Sequence, residues 1–441
     1  ERTMRYSAVL DWIKEKTRRF KEQDHISDEE MGRKITICPK NSKIFEGGCF
    51  DYFNPLSNDL HSKQTVEELA LKNVCISTKG AKWLRDLLVN NTGLLALYLC
   101  DTTMMDMADT MTTAEEEKDW SAEDCKPTSE AIDLARGLEN NWTLQQLHLK
   151  SNHLTNLGSI GHMLSKNKCL MELRICHNSI DATAALAFCQ GLQDNTSLEI
   201  LDLTGNGMKD DAIKLLCQGL LHNSSVRFLC LDFNNFTKRG VAAISQMLSQ
   251  NSSLQDLHLF GNHIDEEGGR LLATALTADK CLLSTLHLSF NDLGDAGATY
   301  LAKALTINIS LKKLWIAANH VGNQGFMAFA ENLPRFNGLQ QLNIGDCFGN
   351  EAACTMLQSI RSNFELQVLY MESILYDDER TEFLINFYIQ LNRAGRKLLC
   401  YQSNFPVALW AHVLARRGTN TKPEILYYLL REKPDLVGMK T

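Results

Sequence analysis

The sequence predicts an α/β solenoid: a horseshoe with one parallel sheet on its concave side, helices on its convex side and a helical cap at the C-terminal end. Two observations predict it. A short apolar phrase recurs along the chain at a nearly constant spacing, and apolar residues at helical spacing lie between its copies. A third observation bounds the class. With 44% hydrophobic and 22% charged residues among 441, the composition is that of a folding chain. No apolar run approaches the ~18 residues of a membrane span, and the net charge of −8 argues against nucleic acid as a partner.

The clearest copy of the phrase runs Leu144-Gln145-Gln146-Leu147-His148-Leu149-Lys150-Ser151-Asn152. Later copies begin at Leu170, Leu198, Val226, Leu254, Leu283 and Leu311, in steps of 26, 28, 28, 28, 29 and 28 residues. Degenerate copies begin at Val66, Leu94, Leu339 and Leu366, which makes eleven strands in all. Each phrase reads as a short strand whose fourth and sixth positions face the core, while the third, fifth and seventh face out. The spacing leaves room for a helix after each strand, as in Leu271-Leu272 with Ala275-Leu276 and in Ile244 with Met247-Leu248. The asparagine at the ninth position turns the chain out of the strand. Its amide is suited to satisfy backbone groups buried at the turn. Asn152, Asn178, Asn206, Asn234, Asn262, Asn291 and Asn319 are therefore expected to form a ladder, with Val74, Thr102 and Ile374 in its place in end copies.

The phrase is that of the leucine-rich repeat. Its 28-to-29-residue period resembles the ribonuclease-inhibitor type, shared by NOD-like receptors, tropomodulins and Ran GTPase-activating proteins. The resemblance covers about three quarters of the chain. It implies a rigid horseshoe that grips a protein partner.

Two features are explained by the repeat rather than by secretion. Asn-x-Ser/Thr occurs at Asn90, Asn141, Asn195, Asn223, Asn235, Asn251 and Asn308. Six of these are assigned to the Asn-x-Ser/Thr-Leu phrase that links a helix to the next strand, so they read as structure rather than glycan acceptors. The fourteen cysteines include no Cys-x-x-Cys pair, and Cys75, Cys189, Cys217 and Cys354 sit inside apolar patterns. They read as reduced thiols serving as small hydrophobes. The compartment expected is intracellular and reducing, cytoplasmic first, with nucleus or an organelle as alternatives.

Three segments depart from the period. Residues 1–65 read as an N-terminal cap, with a helix over 5–22 and the aromatic cluster Phe45, Phe50, Tyr52 and Phe53. The solenoid spans 66–376. It carries an insertion at about 103–126, within a stretch from Asp101 to Glu130 that holds ten acidic residues and two lysines, a net of −8. Poor in large aliphatics, this insertion reads as a mobile loop. Residues 377–441 form a basic helical unit. From Leu391 to Thr441 it has nine Lys/Arg against three acids, a net of +6. Helices are expected around Phe383…Leu391, after Pro406 and after Pro423. The phrase around Leu409-Trp410 and Leu429-Leu430 is similar to the tail of uncharacterised leucine-rich-repeat proteins of diatoms, a likeness that implies no activity.

No Walker loop, G-x-G-x-x-G, G-x-S-x-G or H-E-x-x-H motif is present. No catalytic residue or cofactor is therefore assigned. The reading is a non-catalytic protein–protein interaction scaffold, alone or as a subunit of a larger complex. The alternative is a GTPase activator of the Ran type. That family has an acidic C-terminal tail, whereas here the acidic stretch is internal and the C-terminus is basic. The outward strand positions supply candidate partner-binding residues, Arg174 in the first half, then Phe228, His258, Phe260, His287, Trp315 and Tyr370, with Phe290 added at a strand end. Exposed aromatics clustered on a groove mark protein-binding surfaces. His258 and His287 occupy the same position in adjacent repeats. They could share a metal with Asp256 or Asp232, but a site needs three or four ligands, so two solvated histidines are the expectation.

Overall fold

The computed structural model describes residues 34–37, 67–72, 75–100, 103–105, 130–152, 154, 157–345, 350–371, 379–393 and 396. Twelve strands form one parallel sheet in chain order, interrupted only by a side pair. They are β1 (Lys34–Ile37), β2 (Glu68–Lys72), β4 (Ala96–Cys100), β6 (Gln146–Lys150), β7 (Glu172–Cys176), β8 (Ile200–Asp202) and β9 (Phe228–Cys230), followed by β10 (Asp256–His258), β11 (Thr285–His287), β12 (Lys313–Trp315), β13 (Gln341–Gly345) and β14 (Val368–Met371). The side pair is β3 (Cys75–Ser77) with β5 (Thr103–Met105), also parallel.

The eleven strands from β2 to β14 on the main sheet fall on the eleven copies of the phrase. The twelfth, β1, pairs with β2 from Lys34↔Glu68 to Ile37↔Leu71. Its Lys-Ile-Thr-Ile segment lacks the spaced leucines, so the repeat pattern does not reveal it. The N-terminal helix, the aromatic cluster, the acidic insertion beyond Met105 and the last two C-terminal helices lie outside the described residues. Thr103–Met105, the first three residues of the expected loop, form a strand.

Register places the fourth-position leucines side by side: Leu229↔Leu257, Leu257↔Leu286, Leu286↔Leu314 and Leu314↔Leu342 are direct partners. These leucines and the sixth-position residues Leu231, Leu259, Leu288 and Ile316 are buried. Behind them lie helices α1 (Thr78–Asn90), α2 (Glu130–Glu139), α3 (Gly158–Lys166), α4 (Ala182–Asp194) and α5 (Asp210–Leu220). The layer continues through α6 (Lys238–Leu248), α7 (Glu266–Leu276), α8 (Gly294–Leu305), α9 (Asn323–Asn332) and α10 (Asn350–Ile360). Parallel strands sit ~4.8 Å apart, while packed helices need ~8–10 Å. The helix layer is therefore the longer arc, and the sheet takes the concave side.

Small residues limit that mismatch. Gly219 of α5 lies so close to α4 that a Cβ there would stand 2.7 Å from the backbone of Cys189. Capping links successive repeats as well. Asp210, at the start of α5, accepts from the N–H groups of Thr237 (2.7 Å) and Gly240 (2.9 Å) at the start of α6. Asp295 does the same for Gly322 and Gly325, both at 2.7 Å. Each carboxylate thus satisfies orphan donors of the next helix.

Two asparagine ladders close the turns. In the first, the ninth-position asparagine donates back one repeat, as Asn234 does to the Leu203 carbonyl at 3.1 Å. Its side-chain oxygen accepts from the repeat before, as from the N–H groups of Asn206 and Met208. All seven predicted members, from Asn152 to Asn319, make the backward bond. The second ladder lies at the helix-to-strand turn. Asn223 donates to the Leu192 and Asn195 carbonyls (2.8 and 3.1 Å) and accepts from the N–H groups of Ser225 and Val226 (3.0 and 2.8 Å).

That second ladder accounts for most of the sequons. Asn141, Asn195, Asn223, Asn251 and Asn308 are buried members of it. Asn90 is not, which corrects the assignment of six sequons to the phrase. The ladder residue there is Asn91, whose side chain accepts from the Leu94 N–H at 2.7 Å, one position off the sequon. Asn90 and Asn235 are exposed. Cys189, Cys217 and Cys281 are buried as single thiols.

At the C-terminal end, α11 (Glu379–Arg393) buries Ile385, Ile389 and Leu391. Asn392 extends the second ladder by donating to the carbonyls of Asn363 and Leu366 (3.0 and 2.9 Å). The Arg396 guanidinium lies over the rings of Phe364 and Tyr388.

Candidate functional site

The outward row of the sheet divides into a polar half and an aromatic half. The polar half is one chain of contacts. The Tyr98 hydroxyl donates to Gln146 Oε1 at 2.9 Å, and the Tyr98 ring meets His148 edge to face. His148 Nε2 contacts Glu172 Oε1 at 2.9 Å, Arg174 Nε donates to the same oxygen at 2.5 Å, and Arg174 Nη1 donates to Asp202 Oδ2 at 3.3 Å. The Thr204 hydroxyl donates to Asp202 Oδ1 at 2.6 Å. Burial pulls the Glu172 carboxyl up, but Arg174 and His148 outweigh it and hold it below the usual range. Burial pushes His148 down in spite of Glu172, so their contact is a hydrogen bond to a neutral ring rather than an ion pair. Arg174 is thus braced by two carboxylates, which leaves its guanidinium partly engaged before any partner arrives.

The aromatic half is a row of rings across four adjacent strands. Phe228 meets His258 at 4.8 Å between centroids, His258 meets His287 at 5.5 Å, and His287 meets Trp315 at 4.7 Å with planes at 90°. His258, His287 and Trp315 are direct register partners, whereas Phe228, the partner of Asp256, reaches His258 diagonally; edge-to-face contacts are the favoured ring geometry at this range. Phe228, His258, His287 and Trp315 are each half-buried, while Tyr370 stands 53% exposed on β14. The Trp315 indole nitrogen is turned inward and has no hydrogen-bond partner.

Phe260 departs from the expectation of an open groove residue. It is only 6% exposed. It follows β10, where the chain turns, and its ring packs against Phe233 (5.0 Å), Phe290 (4.8 Å) and His287 (5.3 Å). Alternation still turns the seventh position outward, as at the exposed Lys150; at Phe260 these three rings close over it. The eighth position is left-handed in each of these repeats. Ser151, His177, Gly205, Phe233, Gly261, Phe290 and Ala318 all have positive φ. A bulky residue in that conformation costs ~1–2 kcal/mol. At Phe233 and Phe290, with φ of 52° and 60°, ring packing onto Phe260 offsets it. Phe290, half-buried, roofs Phe260 at the edge of the row.

The histidine pair does not meet Asp256 or Asp232 as one metal set. Instead, Cys230, Asp232 and His258 bring their ligand atoms within 4.8 Å of one another. Burial pushes the Cys230 thiol well up, with Asp232 and Asp202 adding to it. Burial raises the Asp232 carboxyl to about 7 although the Phe260 N–H donates to it at 2.7 Å. Burial lowers His258, and burial with His258 beside it lowers His287 to about 3. The signal for this trio is in the sequence: the fifth and seventh positions of one repeat beside the fifth of the next. It emerges only when neighbouring rows are read together.

The profile of the family described as Leucine Rich repeat matches residues 194–217, 250–273 and 280–302. These three matched segments are leucine-rich repeats. No curated protein sequence matches the chain. Among solved structures, an internalin (inlF) from Listeria monocytogenes is similar at 16% identity, with a TM-score of 0.39 over 75% of this chain and 86% of that one. A chain of the TLR13–ssRNA13 complex is similar at 17% identity, with a TM-score of 0.45 over 79% of this chain and 45% of that one. Among the described residues no helix is long and apolar enough to cross a membrane.

Proposed function

We propose that this leucine-rich-repeat chain is a non-catalytic scaffold that binds a protein partner through the concave face of its solenoid. The observation that carries the reading is the continuous row Phe228–His258–His287–Trp315, half-buried and aligned across β9 to β12. Rings preset by one another lose little freedom on binding, and aromatic anchors supply most of the energy in protein interfaces. The polar chain from Tyr98 to Asp202 offers oriented hydrogen-bonding groups beside it, suited to fixing the partner's register. The period and the full helix in each repeat favour the ribonuclease-inhibitor type of repeat.

Affinity capture from the native source, followed by mass spectrometry, tests the reading when run in parallel with Trp315→Ala and with Trp142→Ala, an exposed tryptophan off the sheet. A partner retained by Trp142→Ala and lost by folded Trp315→Ala supports the concave face. Equal retention by both places binding elsewhere.

A further inference from the structure

We propose that Cys230, Asp232 and His258 form a binding site for a single zinc-class divalent cation on the concave face. Cys230 ends β9 and Asp232 lies two residues on. His258 is the direct register partner of Cys230 on β10, one strand spacing away. A sulfur, a carboxylate oxygen and an imidazole nitrogen thus lie within 4.8 Å of one another. Among the described residues no other group of three such side chains comes together this closely.

The donor set selects the cation. Calcium and magnesium prefer oxygen ligands, whereas sulfur and imidazole suit zinc and its neighbours. Thiolate and carboxylate bring two negative charges, so a divalent ion gives a neutral complex where a net charge would be costly. Bonds of ~2.0–2.3 Å at tetrahedral angles place ligand atoms ~3.5 Å apart. The trio must contract by about an ångström to reach that spacing, a movement that rotation of the Asp232 and His258 side chains can supply.

The surroundings already hold the ligands. The Phe260 N–H fixes Asp232 Oδ1 at 2.7 Å, leaving Oδ2 for the ion. The Thr204 hydroxyl lies 3.2 Å from Cys230 Sγ. Outer contacts of this kind orient ligands and tune affinity. A fourth coordination position toward the groove would take water. The site shares His258 with the ring row, but its test reads metal binding directly and needs no partner, so it can fail or hold apart from the partner-binding reading.

The test is a cobalt(II) titration of the full chain stripped of metal by a chelator. Saturation at one equivalent is expected, with a thiolate-to-cobalt charge-transfer band that zinc displaces. The band should vanish in Cys230→Ser and persist in Cys217→Ser, a buried cysteine outside the trio. Asp232→Asn, which keeps the acceptor for Phe260, should weaken binding at least about tenfold. No saturable binding, a band surviving in Cys230→Ser, or parental affinity in Asp232→Asn would each overturn the site. If circular dichroism shows that Cys230→Ser does not fold, Asp232→Asn and His258→Ala decide the matter by the same criterion.

Discussion

His287 meets Trp315 edge to face, with ring centroids 4.7 Å apart and planes at 90°. The contact joins the two strands at the C-terminal end of the ring row, and it makes Trp315 both surface and support. Trp315→Ala should weaken partner binding by roughly 2 kcal/mol or more. Leu314, the buried neighbour on the same strand, should behave differently: Leu314→Ala should destabilise by ~2–5 kcal/mol. Urea unfolding alongside the capture experiment separates the two. If Trp315→Ala unfolds the chain while its folded fraction still binds normally, the tryptophan is structural only.

The Asn223 side chain makes five hydrogen bonds, two to carbonyls of the preceding repeat, two from N–H groups of its own turn and one from the Ser225 hydroxyl. Asn223→Ala leaves those buried groups unpaired, at about 1–3 kcal/mol for each one stranded. A loss of roughly 3 kcal/mol or more is expected, against under about 0.5 for the exposed Asn235→Ala. Denaturant midpoints check it. The same burial means that a glycan on Asn223 is incompatible with the fold. Folded material from a glycosylating host should carry none at Asn141, Asn195, Asn223, Asn251 or Asn308, which peptide mass spectrometry reads directly. Occupancy at those five in folded protein would contradict the ladder.

The ladder at the strand end was legible because every copy carries the same residue at the same place. The second ladder was harder to see, since its asparagines double as sequons and the pattern slips by one at Asn90. Strand existence and the core-facing leucines followed from period alone, because a slipped register would expose the whole row. Phe260 was misplaced for a local reason. Alternation turns the seventh residue outward, as at the exposed Lys150, but at Phe260 the rings of Phe233, Phe290 and His287 close over it. β1 was missed because a four-residue strand without spaced leucines carries no repeat signal.

His287 is held down to about 3 by burial and by His258 beside it, against an ordinary 6.5. Between those values the unfolded chain binds a proton that the folded chain refuses. The penalty that His287 imposes on the fold is therefore absent above about pH 6.5 and grows as pH falls toward about 3. His258 and His148, also lowered, act in the same direction. His287→Phe keeps a ring against Trp315 and Phe260 while removing the titration. Its acid-unfolding midpoint should lie at lower pH than the parent's. An unchanged midpoint would mean that other groups control acid stability.

Asp232 acts with the opposite sign. Its carboxyl is raised to about 7 from an ordinary 3.8, chiefly by burial. Between those values the folded chain keeps a proton that the unfolded chain releases, so the metal-free protein should lose stability as pH climbs from about 4 to about 7. The charged and titratable neighbours, Cys230, Asp202 and His258, supply no fixed cation to reverse this. Asp232→Asn in chelator should therefore melt higher than the parent above pH 7, with little difference near about pH 4, where both side chains are neutral. Zinc should invert the order. It binds the folded parent through the ionised carboxylate and raises its melting temperature by mass action, while Asp232→Asn gains little. A variant that is equally destabilised at both pH values would show that Asp232 is ionised at no cost in the fold. A zinc response identical in parent and variant would remove this carboxylate from the metal's coordination.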